Sequence, residues 1–158
     1  MSSSKREAEP APPAAFTRYL RTGVRSAQEA LTYLRRRGVP PPRAAALVSD
    51  QQAYGLVDDR AAARLWAGHW ARHGFAAAVV RQKLADKRFD AHTITDAMHA
   101  RCPPADDAAR ARLVAARYAR LRVYRSPSRL ARVLALRGFD PDVIEHVLRE
   151  SFGSDAEP

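Results

Sequence analysis

RLARVLALRGFDPDVIEHVL, at residues 129–148, carries apolar residues at Leu134, Phe139, Ile144 and Leu148, so that the intervals between them are five, five and four. We expect the leucine to end one helix and the phenylalanine to lie just past that end. The last two positions are then one turn apart on the next helix, where they form an apolar stripe that faces the first helix. This stretch therefore predicts a helix, a short turn and a second helix.

The same intervals occur twice more along the chain, at a period of 50 residues. A predicted helix also precedes each of the two later pairs, at about residues 58–73 and 106–123. No run of Val, Ile and Thr alternates with period two, as a half-buried strand would. We therefore predict an all-α fold, built as an elongated array of three tandem three-helix repeats. The equivalent positions are Leu34, Val39, Ala44 and Val48 in the first copy and Leu84, Phe89, Ile94 and Met98 in the second.

The predicted domain boundaries follow from this period. Repeat 1 covers residues 16–57, repeat 2 covers residues 58–105 and repeat 3 covers residues 106–152. Residues 1–15 are rich in Ser, Pro, Ala and mixed charge. Such a segment buries too little apolar surface to become ordered, and we predict a disordered N-terminal tail. Residues 153–158 form a short acidic tail.

The turns between the paired helices have recognisable end signals. Gly38 and Gly138 stand just before the Val/Phe position, where many helices end on a residue in the left-handed conformation. Arg88 takes this place in the second copy, so we expect this turn either to be more strained or to end its helix differently. Asp90 and Asp140 follow the phenylalanines and are suitable N-caps.

The first copy is predicted to be degenerate. Three prolines at residues 40–42 stand where the later copies start their second helix, and we expect only a short, weak helix over residues 41–55. Ser26 and Glu29 have the spacing of a capping box, which predicts the start of the preceding helix. Residues 16–23, FTRYLRTG, predict another short helix.

The chain has a net charge of +10, from 27 Lys and Arg against 17 Asp and Glu. Residues 16–50 and residues 101–125 supply the whole excess, with seven basic and two acidic residues each. An excess of this size predicts a polyanionic or acidic partner, such as nucleic acid or a nucleoprotein. Of the basic residues 24 are Arg, a bias that a GC-rich genome would produce equally well.

The cysteine and motif content excludes several classes of protein. Cys102 is the only cysteine, so one chain can form neither a disulfide nor a cysteine-based zinc site. No apolar run is long enough to cross a bilayer. There is no Gly-rich phosphate loop, nucleophile triad or HExxH motif, and the adjacent Asp58 and Asp59 fit a helix start better than a catalytic pair. We predict a cytoplasmic monomer that is not an enzyme and uses no cofactor.

Two clusters on the predicted helix at residues 58–73 have both a functional and a structural interpretation. His69 and His73 have metal-ligand spacing, but no third ligand accompanies them, so we predict histidines at the edge of the core and no metal site. Trp66 and Trp70 could stack on nucleic-acid bases. Their helical spacing favours a place in the core.

The order and spacing of several motifs resemble a known family. GLVDDR at residues 55–60 resembles the start of that family's second repeat, and Gly74–Phe75 with RQKL at residues 81–84 resembles its continuation. RGF at residues 137–139 resembles a signature of the third repeat. Residues 26–150 thereby resemble RecX, the bacterial regulator of the RecA recombinase.

The resemblance implies a regulator of recombination, DNA repair and the SOS response that lies along the groove of the RecA filament on single-stranded DNA. RecX proteins usually slow ATP hydrolysis and strand exchange by RecA. A long cationic surface suits this role, because it can span neighbouring protomers and neutralise phosphates or carboxylates. The residues predicted to contact the filament are Arg35, Arg36, Arg37, Arg60, Arg64, Arg72, Arg81, Lys83, Arg110, Arg117 and Arg120.

Other interpretations of the basic residues remain open at this point. Each arginine could belong to an ordinary solvated helix face. The chain could also be a direct DNA- or RNA-binding helical-repeat protein, whose helix pairs act as helix-turn-helix readers and bind naked nucleic acid tightly and with a steep salt dependence. For a RecA regulator we expect only weak direct DNA binding. A membrane-surface protein is disfavoured, because no helix has a broad, bulky apolar face opposite a basic one.

Overall fold

The computed structural model describes residues 13–120 and 126–153, which form α-helices and one short 3-10 helix, with no β-strand among them. The all-α prediction is confirmed. None of the helices in these residues is long and apolar enough to span a membrane. The helices are α1 (Ala14–Arg21), α2 (Ala27–Arg36), α3 (Pro41–Ala53), α4 (Asp59–Arg72), α5 (Ala77–Asp86), α6 (Ala91–Arg101), the 3-10 helix (Pro104–Asp106), α7 (Asp107–Ala119), α8 (Pro127–Leu136) and α9 (Pro141–Phe152).

The paired helices recur at 50-residue intervals. α2, α5 and α8 begin at residues 27, 77 and 127, and α3, α6 and α9 begin at residues 41, 91 and 141. Leu34, Leu84 and Leu134 occupy equivalent positions and are almost completely buried. The elongated array and the repeat boundaries stay predictions. The predicted tails fall mostly on residues 1–12 and 154–158, which lie outside the described residues.

The chain divides into two compact units, residues 1–58 and residues 59–158. The first unit contains helix set 1 (α1 to α3) with one apolar core. The second contains helix set 2 (α4 to α6) and helix set 3 (α7 to α9), each with a core of its own. The largest fully buried apolar side chains are Phe16 and Leu34 in set 1, Val80, Leu84 and Met98 in set 2, and Val114, Leu134 and Val147 in set 3.

The second paired helix of the first copy, α3, lies within the predicted residues 41–55 and is no shorter than its counterparts in the other copies. α3 has 13 residues, against 11 in α6 and 12 in α9, so the expectation of a short helix is wrong. Pro41 and Pro42 occupy the first turn, where a backbone N–H has no helical partner and its loss costs little. The capping box is confirmed, because Ser26 and Glu29 exchange two bonds of 3.1 Å between side chain and backbone. The predicted short helix before it is α1.

The turn at Arg88 is strained, which is one of the two outcomes predicted for it. Its φ is 67°, close to the 76° of Gly38 and the 82° of Gly138. A left-handed backbone costs a residue with a Cβ about 1–2 kcal/mol, whereas glycine gives up about 0.5–1 kcal/mol of chain entropy. We therefore expect Arg88→Gly to raise the free energy of unfolding by about 0.5–1 kcal/mol.

This prediction can be checked by urea unfolding, followed by the fluorescence of Trp66 and Trp70, which are the only tryptophans of the chain. The matched control is Arg88→Ala, which removes the same charge and keeps the Cβ. Equal stability of the Gly and Ala variants would show that the backbone of Arg88 is not strained.

The turn that follows α4 in set 2 and the turn that follows α8 in set 3 each pack closely against the other set. An ideal Cβ on Gly74 would overlap with Val114, and one on Gly138 would overlap with Val79. The backbone N–H of Ala76 donates to the carbonyl of Arg137 at 3.0 Å. The two glycines therefore let the turn that follows α4 and the turn that follows α8 approach the neighbouring set closely.

The N-terminus of α5 receives its cap from the neighbouring set. Ala76, the N-cap residue, makes no side-chain cap bond. Instead the backbone N–H of Ala77 donates to the carboxylate of Asp107, at 2.9 and 3.3 Å to its two oxygens. A negative charge at this end of a helix also interacts favourably with the helix dipole. The first turn of α7 thus completes α5.

Candidate binding surface

Two of the predicted residues on α4 form ion pairs with α6. Arg64 Nη2 lies 2.9 Å from Asp96 Oδ2, and Arg60 Nε lies 3.5 Å from the same oxygen. Arg60 Nη2 also lies 3.3 Å from His92 Nε2. One carboxylate thus partly neutralises two guanidinium groups, and both arginines remain exposed.

A groove of about 340 Å³ opens between α4 and α6, and we call it the Gly68 groove. Arg72 and Arg101 contribute to its wall, and neither forms an ion pair within the described part of the chain. The groove therefore carries more positive charge than Asp96 can balance. Its lining residues are Ala61, Arg64, Leu65, Gly68, Arg72 and Arg101.

Lys83 in α5 and Lys87, the C-cap residue of that helix, lie over aromatic rings. Lys83 Nζ is 4.9 Å from the ring centroid of Phe75 and 5.7 Å from that of Trp70, and Lys87 Nζ is 3.9 Å from that of Trp66. Trp66 and Trp70 stack with their ring centroids 5.3 Å apart. Both are half-buried against the core of set 2, the position favoured by their spacing. Lys83 is therefore held by cation–π contacts on a ring surface.

The structure removes Arg110 from the predicted surface. Arg110 is buried, and its guanidinium donates to the carboxylate of Asp107 and, at 3.0 Å, to the carbonyl of Pro103. Its place on the polar side of α7 in sequence did not show that the side chain folds back onto the start of its own helix. Arg117 stays exposed but donates to the carbonyl of Arg72 at 3.0 Å, which satisfies the C-terminal end of α4.

The remaining predicted residues of the second unit, Arg81 and Arg120, are exposed, and neither has an ion pair in residues 13–120 and 126–153. Arg112, which was not predicted, donates to both carboxylate oxygens of Glu150 at 2.7 and 3.0 Å. This bond and the opposite charge raise the pKa of Arg112 and lower that of Glu150. The charge of Arg112 is therefore largely compensated.

Arg35, Arg36 and Arg37 follow one another at the end of α2 in the first unit, and all three are exposed. The guanidinium carbon of Arg37 lies 4.1 Å from the ring centroid of Tyr33. Tyr33 stacks in turn on Tyr19, with centroids 4.0 Å apart. Stacking orients the plane of a guanidinium and leaves its N–H edge available to an anion. The contact with Tyr33 thus sets the orientation of the Arg37 guanidinium.

The histidine pair lies on α4 beside the tryptophans. His73 Nδ1 is 2.8 Å from the carbonyl oxygen of His69, and the two rings are 4.2 Å apart. Partial burial, with added repulsion from His73 and Arg72, lowers the pKa of His69. The described residues contain no group of three His, Cys, Asp or Glu side chains that could hold a metal ion.

The Gly68 groove was not predicted, although part of its signal is present in the sequence. Arg64, Gly68 and Arg72 follow one another at intervals of four, which places them on one face of a helix. Arg101 is 29 residues further along and joins them only because α4 packs most extensively on α6. That packing could not be derived from spacing alone.

Two solved structures share this fold. The crystal structure of regulatory protein RecX matches 84% of this chain and 69% of its own length, with a TM-score of 0.67 and 22% sequence identity. The crystal structure of RecX from Lactobacillus salivarius matches 87% of this chain and 92% of its own, with a TM-score of 0.68 and 18% identity. The chain has the RecX fold. The resemblance of the sequence motifs to RecX is thereby confirmed at the level of the fold, while no family model and no curated protein sequence matches the chain.

Proposed function

We propose that this chain is a RecX-type regulator of RecA that binds the RecA filament on single-stranded DNA and slows ATP hydrolysis and strand exchange. The RecX fold is the observation that carries the proposal, because two RecX structures match more than four-fifths of the chain. One of them is described as a regulatory protein. The order of the motifs in residues 26–150 supports the same family. In this function the chain acts by contact and not as an enzyme.

The distribution of unpaired cations supports a surface that binds along a polyanionic or acidic partner. An exposed charge contact contributes only about 0.2–1 kcal/mol, so that several have to act together. Seven of the exposed arginines without an ion pair in the described residues provide the contacts, namely six of the predicted ones and Arg101 of the Gly68 groove. They are Arg35, Arg36 and Arg37 in the first unit, and Arg72, Arg81, Arg101 and Arg120 in the second.

The test is the rate of ATP hydrolysis by RecA on single-stranded DNA, measured over a range of concentrations of this protein. Wild type is expected to lower the rate. A variant with Arg35, Arg36 and Arg37 replaced by alanine is expected to need about tenfold more protein for the same effect, since three exposed contacts together contribute about 1.4 kcal/mol or more. Arg72→Ala, Arg81→Ala and Arg120→Ala combined should behave alike.

The matched control replaces Arg18, Arg43 and Arg132, which are also exposed and without an ion pair in the described chain. It has the same net charge as either test variant and is expected to act like wild type. Hydrolysis and strand exchange that stay unchanged at every concentration of wild type would refute the function. A control as weak as the test variants would show that net charge, rather than these positions, determines binding.

A further inference from the structure

The Gly68 groove differs from the rest of the basic surface because two arginines without an ion pair in the described residues line one cavity. We propose that it binds one phosphate group of a single-stranded nucleic-acid backbone, held by the guanidinium groups of Arg72 and Arg101. This site acts on naked nucleic acid, so that it does not depend on RecA or on the function proposed above.

The first support is the uneven compensation of charge. Arg64, at one side of the groove, already pairs with Asp96 at 2.9 Å. Arg72 and Arg101 have no such partner among the described residues, and both line the same groove. Two like charges beside one cavity repel each other, and an anion between them removes that repulsion. The planar N–H fork of arginine matches the oxygens of a phosphate.

The second support is the glycine in the middle of α4. A glycine inside a helix is less favourable than alanine by about 1 kcal/mol. The atoms nearest to an ideal Cβ at Gly68 are Arg72 Nη1 at 3.2 Å and Arg101 Cδ at 3.9 Å. A Cβ at this position would crowd the guanidinium of Arg72, so that glycine lets this guanidinium lie close against the backbone of α4 at the groove.

The guanidinium groups of Arg72 and Arg101 are not used to satisfy the C-terminal carbonyls of α4. Its carbonyls accept from elsewhere, since Arg117 donates to the carbonyl of Arg72 and Arg137 donates to that of His73. The C-terminal end of a helix carries a partial negative charge, which repels an anion. The guanidinium groups of Arg117 and Arg137 place positive charge there and reduce this repulsion. The guanidinium groups of Arg72 and Arg101 therefore stay available to a phosphate that enters from solvent.

The experiment measures the binding of a labelled oligothymidylate to the full chain by fluorescence anisotropy, without RecA, at several salt concentrations. Each phosphate contact on a single strand contributes about 0.7 to the slope of log affinity against log salt. Arg72→Ala with Arg101→Ala should lower this slope by about 0.7. Gly68→Asp should do the same, because its carboxylate occupies the groove.

Gly68→Asn is the matched control for Gly68→Asp, since it has the same size and no charge, and it should keep the slope of wild type. Arg43→Ala with Arg132→Ala controls for the loss of two charges. Tryptophan fluorescence on urea unfolding verifies that every variant is folded.

A wild-type slope in Gly68→Asp, or an equal loss in the Arg43 and Arg132 control, would overturn the proposal. So would a Gly68→Asp variant that binds DNA normally but loses affinity for RecA, because the groove would then take a protein carboxylate. A lack of effect on RecA hydrolysis would refute only the RecA function and leave the phosphate site standing.

Discussion

Gly138→Ala is expected to lower the free energy of unfolding of residues 59–158 by about 3 kcal/mol. The φ of Gly138 is 82°, a conformation that costs an alanine about 1–2 kcal/mol. The new Cβ would also overlap with the Cγ2 atom of Val79. Valine is stiff at χ1 and cannot turn away freely, so that overpacking adds about 1–3 kcal/mol.

Gly38→Ala is the matched control, because Gly38 has a φ of 76° and no atom within 4 Å of its ideal Cβ. It should show the backbone cost alone, about 1–2 kcal/mol. Tryptophan fluorescence during urea unfolding reports the second unit, and far-ultraviolet circular dichroism reports the helices of both units, so that the part of its transition that fluorescence does not follow belongs to the first. If the two variants lose the same amount, the close contact between sets 2 and 3 contributes nothing.

Asp107→Ala is expected to cause a loss of similar size, about 3 kcal/mol. Asp107 accepts from the backbone of Ala77 and from Arg110. Removal of the cap costs about 1 kcal/mol. The guanidinium of Arg110, whose side chain is only 9% exposed, would then lose its counterion, which adds about 1–3 kcal/mol.

Urea unfolding measures this loss as well, and two further variants separate its parts. Asp106→Ala removes the neighbouring exposed carboxylate, which makes no side-chain cap bond, and should change stability by less than about 0.5 kcal/mol. Arg110→Met added to Asp107→Ala should recover part of the loss, because it removes the unpaired buried charge. No recovery would mean that the cap on α5 accounts for the whole effect.

Much of the fold could be predicted from residue spacing. The apolar positions at Leu34, Leu84 and Leu134 predicted the paired helices, and the turn signals predicted the glycine ends, with strain at Arg88 as one of two outcomes. The bounds of α3 were predicted to within two residues, but its three prolines were wrongly interpreted as a weakness of the helix. Pro40 is the N-cap residue, and Pro41 and Pro42 lie in the first turn, where a missing N–H removes no helical hydrogen bond. The contacts of Gly74 and Gly138 with distant valines also have no local signal.

The binding surface was less predictable than the fold. A basic residue on the polar side of a helix can point to solvent, pair with an acid or fold inward, and the sequence does not distinguish these cases. Arg110 folds inward, Arg60 and Arg64 share Asp96, and Arg101 belongs to a groove that forms only when two helices pack. Net charge predicts a polyanionic or acidic partner, which stays a prediction, but the positions of the exposed arginines had to come from the structure.

The cap that Asp107 provides for α5 has a consequence for the order of folding during synthesis. When the ribosome has added only the residues up to the end of α6, neither acceptor for the start of α5 has been made. The backbone N–H of Ala77 then lacks the carboxylate of Asp107, and the backbone N–H of Ala76 lacks the carbonyl of Arg137. Set 2 can collapse at that stage around Leu84 and Met98, but it reaches full stability only after Arg137 has emerged. A nascent chain that stalls between these points should stay sensitive to proteolysis at α5.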